Sequence, residues 1–128
     1  MKNNTFDLQD HNMKNSWIIL VLSILLTSCG KSQSISITDF SQEGLEDYTL
    51  LDVRTPEEFT DGHLENAINI NWYDANFVDQ LKEIPKENTL YVYCKKGGRS
   101  AKAATLLDSL GYKVIDLQGG YDAYQAKQ

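Results

Sequence analysis

The segment from Thr89 to Leu110 constrains the fold of this 128-residue chain more than any other part of it. It consists of an apolar run (89–93), a loop with two glycines (94–100) and a stretch rich in alanine and leucine (101–110). This order predicts a strand, a tight loop and a helix. Cys94 then follows the strand and faces free backbone N–H groups at the N-terminus of the helix. Because these dipoles favour the thiolate over the thiol, the sequence predicts an activated cysteine.

The rest of the globular part alternates apolar runs with helix signals. Strands are predicted at 49–53, 67–70 and 112–117, and helices at 38–48, 55–60, 77–84 and 121–126. The strands are continuously apolar, which favours a mostly parallel central sheet with helices on both faces. The predicted fold class is therefore α/β. In open sheets of this kind ligands bind off the carboxyl ends of the strands, where Cys94 lies.

The charge of the chain is unevenly distributed. Its net charge is -6, which argues against a nucleic-acid partner. Lys95, Lys96 and Arg99 nevertheless crowd around Cys94 and indicate a local anion site, whereas Lys102 is interpreted as part of a solvated face. No cluster of His, Cys and carboxylates has metal-site spacing and no phosphate-binding Walker pattern is present, so neither a metal nor a cofactor is predicted.

The loop after Cys94 suits the binding of a negatively charged sulfur. Backbone N–H groups can curl round a sulfur atom only in unusual dihedral conformations, which Gly97 and Gly98 permit. Arg99 can bind oxyanions through its planar fork or brace the loop. The predicted substrate-binding residues are Lys95, Lys96, Gly97, Gly98, Arg99 and Ser100.

Asp52 and Arg54, at the end of the preceding predicted strand, are candidates for a supporting role. One interpretation places Arg54 at the rim of the pocket, and the other pairs it with Glu57 or Glu58. Asp52 is interpreted as structural, fixing the local loop by hydrogen bonds.

The N-terminal segment reads as a targeting signal. The apolar run 17–26 is shorter than the roughly 20 residues that span a membrane, and its length fits a secretory signal peptide. The residues 26–29, which end in Cys29, resemble a bacterial lipobox. This resemblance implies cleavage before Cys29 and lipidation of its thiol. Because acidic residues are unusual ahead of a signal peptide, Met13 is the expected translation start.

These features divide the chain into a signal peptide (1–28), a lipidated tether (29–34) and one globular domain (35–128). The short polar tether suits a flexible connection, and several acyl chains give firm anchoring. The expected location is the bacterial cell envelope, as a membrane-anchored lipoprotein.

Three blocks of the globular part resemble the single-domain rhodaneses, a family of thiosulfate or persulfide sulfurtransferases. The blocks are 51–59 together with 62–70, then 91–100 and 117–124, and the last ends in Tyr124 where the family more often has Trp. The resemblance implies the rhodanese-like fold and a catalytic Cys94. It also implies that the Cys94 thiolate takes sulfane sulfur from thiosulfate or a similar anionic donor. The Cys94 persulfide then passes this sulfur to a thiophilic acceptor, a thiol or a protein.

Two other functions compete with this interpretation. Cysteine phosphatases also combine Cys, a backbone cradle and Arg, but they have five residues between Cys and Arg. Here only four residues (95–98) separate Cys94 from Arg99, which disfavours a phosphatase. A membrane-tethered binding or sulfur-carrier module without independent turnover is the remaining alternative, and retention of Cys94 counts against it.

Overall fold

The computed structural model describes residues 32–128. The predicted signal peptide, the lipidated Cys29 and the translation start at Met13 lie outside the described residues. The strands are β1 (Gln33–Ser36), β2 (Tyr48–Asp52), β3 (Ile68–Asn69), β4 (Thr89–Tyr93) and β5 (Lys113–Gln118). The helices are α1 (Pro56–Thr60), α2 (Phe77–Gln80), α3 (Gly98–Ser109) and α4 (Gly120–Lys127), and a 3-10 helix, Leu81–Glu83, follows α2.

All neighbouring strands pair in parallel, in the order β1-β5-β4-β2-β3. The strand that leads to Cys94 is therefore central, between β5 and β2. This arrangement confirms the predicted α/β class and its parallel sheet. It also places the end of β4 beside the ends of both neighbouring strands.

Two apolar clusters cover the two faces of the sheet. One contains Val92 and Cys94 and packs against α2 and against Ala103 and Leu107 of α3. The other contains Tyr93 and packs against α4. Successive residues of β4 point to opposite faces, so Tyr93 and Cys94 enter different layers of the core.

The structure differs from the sequence prediction in the first third of the domain. The predicted helix 38–48 is wrong: turns occupy this segment, and Gly44 (φ 75°) and Asp47 (φ 50°) have left-handed conformations that interrupt a right-handed helix. Strand β1 was not predicted. It includes Gln33 and Ser34, so ordered structure begins inside the segment assigned to the tether.

Two predicted helices have different bounds. Helix α2 ends at Gln80 and tightens into the 3-10 turn, although Phe77, Leu81 and Ile84 are buried as their spacing predicts. Helix α3 begins at Gly98, three positions before the predicted Ala101. Arg99 and Ser100 consequently belong to its first turn. Among residues 32–128, no helix has the length and apolar character needed to cross a bilayer.

Candidate active site

Cys94 lies at the junction between β4 and the loop that leads into α3. Cys94 is only 1% exposed. The backbone N–H group of Gly97 donates a hydrogen bond to Cys94 Sγ at 3.0 Å. The N-terminus of α3 also presents unpaired N–H groups and the positive end of the helix dipole at this point. These groups stabilise negative charge on the sulfur.

The two glycines of the loop have different roles. Gly97 has φ 107°, a left-handed conformation, and it is the N-cap of α3. Gly98 has no such conformation, and a Cβ atom added to it would meet nothing within 4 Å. Only Gly97 therefore needs the conformational freedom that was expected of both residues.

The N-terminus of α4 fixes the other side of the loop. The Tyr121 N–H donates to the Cys94 carbonyl oxygen at 2.8 Å, and the Asp122 N–H donates to that of Lys95 at 3.0 Å. A Cβ atom on Gly120 would lie 2.4 Å from the Lys95 carbonyl group, so glycine is required for this approach. The carbonyl groups of Cys94 and Lys95 are thus bound to the N-terminus of α4. The N–H group of Gly97, further along the loop, is bound to the sulfur instead. Sequence reasoning missed the contact with α4, although the Gly119–Gly120 pair was its signal.

Arg99 braces the loop by a two-pronged ion pair with Glu58 of α1. Its Nη1 donates to Glu58 Oε2 at 2.7 Å, and its Nη2 donates to Oε1 at 2.9 Å. Glu58 also accepts from the Thr55 N–H and completes the capping box of α1. The hydrogen bonds from Arg99 lower the pKa of Glu58 to about 2 against the opposing effect of burial. Of the two roles considered for Arg99, the geometry supports bracing.

A cavity of about 330 Å³ opens beside Cys94. It is lined by Cys94, Lys95, Lys96, Gly98, Arg99 and Lys102. Lys95 Nζ lies 3.9 Å from Asp122, whereas no ion pair of the described residues involves Lys96 or Lys102. Lys102 is exposed, as predicted for a solvated face, but it contributes to the cationic lining of the cavity.

Asp52 and Arg54 do not line this cavity. Arg54 is 3% exposed, and its Nη2 lies 2.7 Å from Asp52 Oδ2. The sequence interpretation that paired Arg54 with Glu57 or Glu58 is therefore wrong, because the acidic partner of Arg54 is Asp52. Asp52 also accepts from the Arg54 N–H at 2.9 Å, in agreement with a structural role. The Arg54 guanidinium lies 4.3 Å from the ring centroid of Tyr121 and so packs against the start of α4.

Fold and site together define a parallel α/β protein with a buried cysteine in a lysine-lined loop at the carboxyl edge of the sheet. The family model described as "Rhodanese-like domain" matches residues 38–127. The chain therefore belongs to the rhodanese-like domain family.

Relatives with known names agree with this assignment. The chain is 36% identical over 102 residues to "Thiosulfate sulfurtransferase 16, chloroplastic" of Arabidopsis thaliana, covering 71% of this chain and 85% of that protein. It is 35% identical over 80 residues to a "Sulfurtransferase" of Allochromatium vinosum, covering 62% of this chain and 73% of that protein. The crystal structure of a rhodanese-related protein of Thermoplasma volcanium is similar with a TM-score of 0.66 and 33% identity, covering 74% of this chain and 92% of that one. At the level of the family, the activity is sulfur transfer from a donor to an acceptor.

Proposed function

We propose that the protein is a thiosulfate-type sulfurtransferase in which Cys94 carries the sulfur as a persulfide. The observation that carries the proposal is the hydrogen bond from the Gly97 N–H to Cys94 Sγ at 3.0 Å, beside a cavity lined by lysines. A donated N–H and nearby cations stabilise a sulfur anion without any metal or cofactor. They also attract an anionic donor.

The reaction proceeds in two displacements. The Cys94 thiolate attacks the outer sulfur of thiosulfate, the sulfur–sulfur bond of the donor breaks, and sulfite leaves with the electron pair. A thiolate or cyanide acceptor then attacks the outer sulfur of the Cys94 persulfide. The bond between the two sulfurs breaks, and the Cys94 thiolate is restored.

The cations of the cavity support an anionic donor. Lys96 and Lys102 form no ion pair within the described part of the chain, so their charges are available to a ligand. Arg99 also lines the cavity, but Glu58 largely balances its charge. A dianion such as thiosulfate gains more from this field than a neutral donor does.

The direct test is the mass of the protein after incubation with thiosulfate. We expect a gain of one sulfur atom on Cys94, its loss on addition of cyanide with formation of thiocyanate, and neither change in Cys94→Ser. An aryl phosphate serves as the control substrate for the phosphatase alternative. Persulfide formation without turnover would instead indicate a sulfur-carrier module, and hydrolysis of the phosphate without sulfur uptake would refute the proposal.

We further propose that the protein is a lipoprotein of the bacterial cell envelope, anchored through Cys29. The support is the apolar run 17–26 followed by a lipobox-like sequence. Expression of the full chain with a labelled fatty acid should label the native protein and leave Cys29→Ser unlabelled. Cys94→Ser is the matched control and should be labelled like the native protein. Equal labelling of the native chain and Cys29→Ser would rule out this anchor.

A further inference from the structure

Tyr121 binds the Cys94 loop through its backbone, but its side chain has no part in the two displacements. Its N–H group donates to the Cys94 carbonyl oxygen at 2.8 Å. Any residue except proline has such a backbone donor. The hydrogen bond alone therefore does not explain a tyrosine at this position, and the contacts of its ring have to be considered.

The ring of Tyr121 packs against the guanidinium group of Arg54. Arg54 Cζ lies 4.3 Å from the ring centroid, a distance at which a cation is attracted to the face of an aromatic ring. The Tyr121 hydroxyl oxygen lies close to Gly62, since a Cβ atom added to Gly62 would be 2.6 Å from it. Arg54 Nη2 in turn donates to the Gly62 carbonyl oxygen at 2.6 Å. Arg54 and Gly62 therefore hold the ring at its face and at its tip.

Arg54 is itself fixed in the core. It is 3% exposed, and it donates to the Asp52 carboxylate through Nε at 3.0 Å and through Nη2 at 2.7 Å. Its Cζ also lies 5.6 Å from the ring centroid of Tyr93, the residue before Cys94. Replacing a buried ion pair by apolar side chains of similar volume is often neutral or stabilising. Stability alone is therefore a poor explanation for this arginine.

Helix α4 has few other side chains to fix its position. Of its eight residues only Gly120 is buried. A helix of this length is marginal without contacts to the rest of the fold. The place of its first turn beside the Cys94 loop therefore depends on half-buried side chains, and Tyr121 is the one that contacts Arg54.

We propose that Tyr121 is a positioning residue whose ring, held by Arg54, fixes the orientation of the peptide group between Cys94 and Lys95. The carbonyl oxygen of this peptide accepts from the Tyr121 N–H and so faces α4. Without that bond the peptide would be free to rotate and to turn its oxygen toward the sulfur anion, which the oxygen would repel. The bond also polarises the peptide, so that the Lys95 N–H becomes a stronger donor beside the cavity.

The test compares Tyr121→Leu with Tyr121→Phe and Tyr124→Leu. Tyr121→Leu keeps the backbone N–H and removes the aromatic face, whereas Tyr121→Phe keeps both. Tyr124→Leu is the matched control, because Tyr124 lies in the same helix and its ring packs on that of Tyr121, whereas the aromatic contacts of Arg54 among the described residues are with Tyr93 and Tyr121. The readouts are the rate of alkylation at Cys94 by iodoacetamide, followed by mass spectrometry, and the kinetics of sulfur transfer.

In Tyr121→Leu we expect the alkylation rate and kcat to fall about tenfold, the size of one lost hydrogen bond. KM for thiosulfate should be nearly unchanged, since the lysines of the cavity are untouched. Tyr121→Phe should restore most of both rates. Tyr124→Leu should lower the melting temperature about as much as Tyr121→Leu does, but its Cys94 should react like that of the native protein.

Native rates in Tyr121→Leu would overturn the inference, and so would equal losses of rate in Tyr121→Leu and Tyr124→Leu. The kcat readout rests on the proposed sulfurtransferase function, but the alkylation readout does not. If the native protein transfers no sulfur, the proposed function fails on its own, and the order of the alkylation rates still decides this inference.

Arg54→Lys tests whether Arg54 acts through Tyr121. Lysine retains a positive partner for Asp52 but lacks the planar group that lies against the ring. Alkylation of Cys94 should be slower in Arg54→Lys, and the double variant with Tyr121→Leu should be no slower than Tyr121→Leu alone. Additive losses would show that Arg54 does not act through Tyr121. If Arg54→Lys does not fold, the Tyr121 variants decide alone.

Discussion

Gly97 and Gly98 are adjacent, but only one of them has a conformation that requires glycine. Gly97→Ala should lower the free energy of unfolding by about 1–3 kcal/mol, because φ 107° is strained for any residue with a Cβ atom. It should also slow alkylation of Cys94, since the Gly97 N–H would leave the sulfur. Gly98→Ala is the matched control: alanine is favoured at a helical position and should leave stability unchanged or raise it by up to about 1 kcal/mol. Urea denaturation measures both changes, and equal losses would contradict this assignment.

At this scale the sequence predicted the position of Cys94 but not the partners of the charged groups. The order of strand, glycine loop and helix is a local signal, so it was readable. The ion pair between Arg99 and Glu58 joins residues 41 positions apart, and no local pattern reports such a contact. The sequence interpretation therefore considered Glu58 as a partner of Arg54, the basic residue nearest to it along the chain.

Glu58 connects two elements, since it caps α1 and pairs with Arg99 in α3. Its pKa is lowered to about 2, chiefly by the hydrogen bonds from Arg99. A lowered pKa stabilises the fold above the ordinary pKa of the group, and this stabilisation is lost as the pH falls toward 2. Glu58→Gln should therefore reduce the free energy of unfolding by about 1–2 kcal/mol at neutral pH. The difference from the native protein should disappear in strong acid.

The ion pair of Asp79 and Lys82 provides the control for this prediction. Both side chains are 71% exposed. Solvent screens such a pair, so Asp79→Asn should change stability very little. Urea titrations of the three proteins across the acid range decide the matter, and a difference for Glu58→Gln that is independent of pH would argue against the ion pair as its cause.

Helix α4 and the Cys94 loop meet at Gly120, where backbone approaches backbone. Gly120→Ala should combine a left-handed strain with a steric clash, because its Cβ atom would lie 2.4 Å from the Lys95 carbonyl group. Gly44 has a similar φ of 75°, but a Cβ atom added there would meet nothing within 4 Å. Gly44→Ala is therefore the control for the backbone strain alone, and it should lower the free energy of unfolding by about 1 kcal/mol. We expect the larger loss of stability, and the slower reaction of Cys94 with iodoacetamide, in Gly120→Ala alone. Equal effects of the two substitutions on Cys94 would contradict the contact.

Element boundaries were predictable where hydrophobic spacing was strong and unpredictable where it was not. β1 has the sequence Gln-Ser-Ile-Ser and is mostly exposed, so it lacks the apolar run by which a buried strand is recognised. The early start of α3 was hidden by Gly98, because glycine disfavours helices and was interpreted as part of the loop. Capping, in contrast, depends on neighbouring residues, and the Thr55–Glu58 capping box at the start of the predicted helix 55–60 is present.

For the whole domain, β1 covers an edge of the sheet that would otherwise be open. Its residues 33–36 pair with 115–118 of β5. A chain that begins at Ile37 should therefore melt at a lower temperature and aggregate, because an unpaired strand edge recruits other chains. A chain that begins at Ser32 is the control and should remain soluble. Light scattering during thermal unfolding distinguishes the two, and identical behaviour would show that β1 is dispensable.

The α/β class of the whole molecule was predictable because short apolar segments alternate with helix signals. The order of the strands was not, since β1 and β5 are adjacent in the sheet although they stand at opposite ends of the domain sequence. Such pairing depends on which apolar faces fit together after the chain has folded. Periodicity within one segment contains no information about it.

The contact between α4 and the Cys94 loop also has a consequence for biosynthesis. The two amides that bind the carbonyls of Cys94 and Lys95 belong to residues 121 and 122, close to the C-terminal end of the described chain. A ribosome makes the cysteine well before it makes them. A nascent polypeptide that has not yet been extended through Tyr121 and Asp122 thus exposes Cys94 without these two donors, so its loop becomes complete only once α4 has been synthesised.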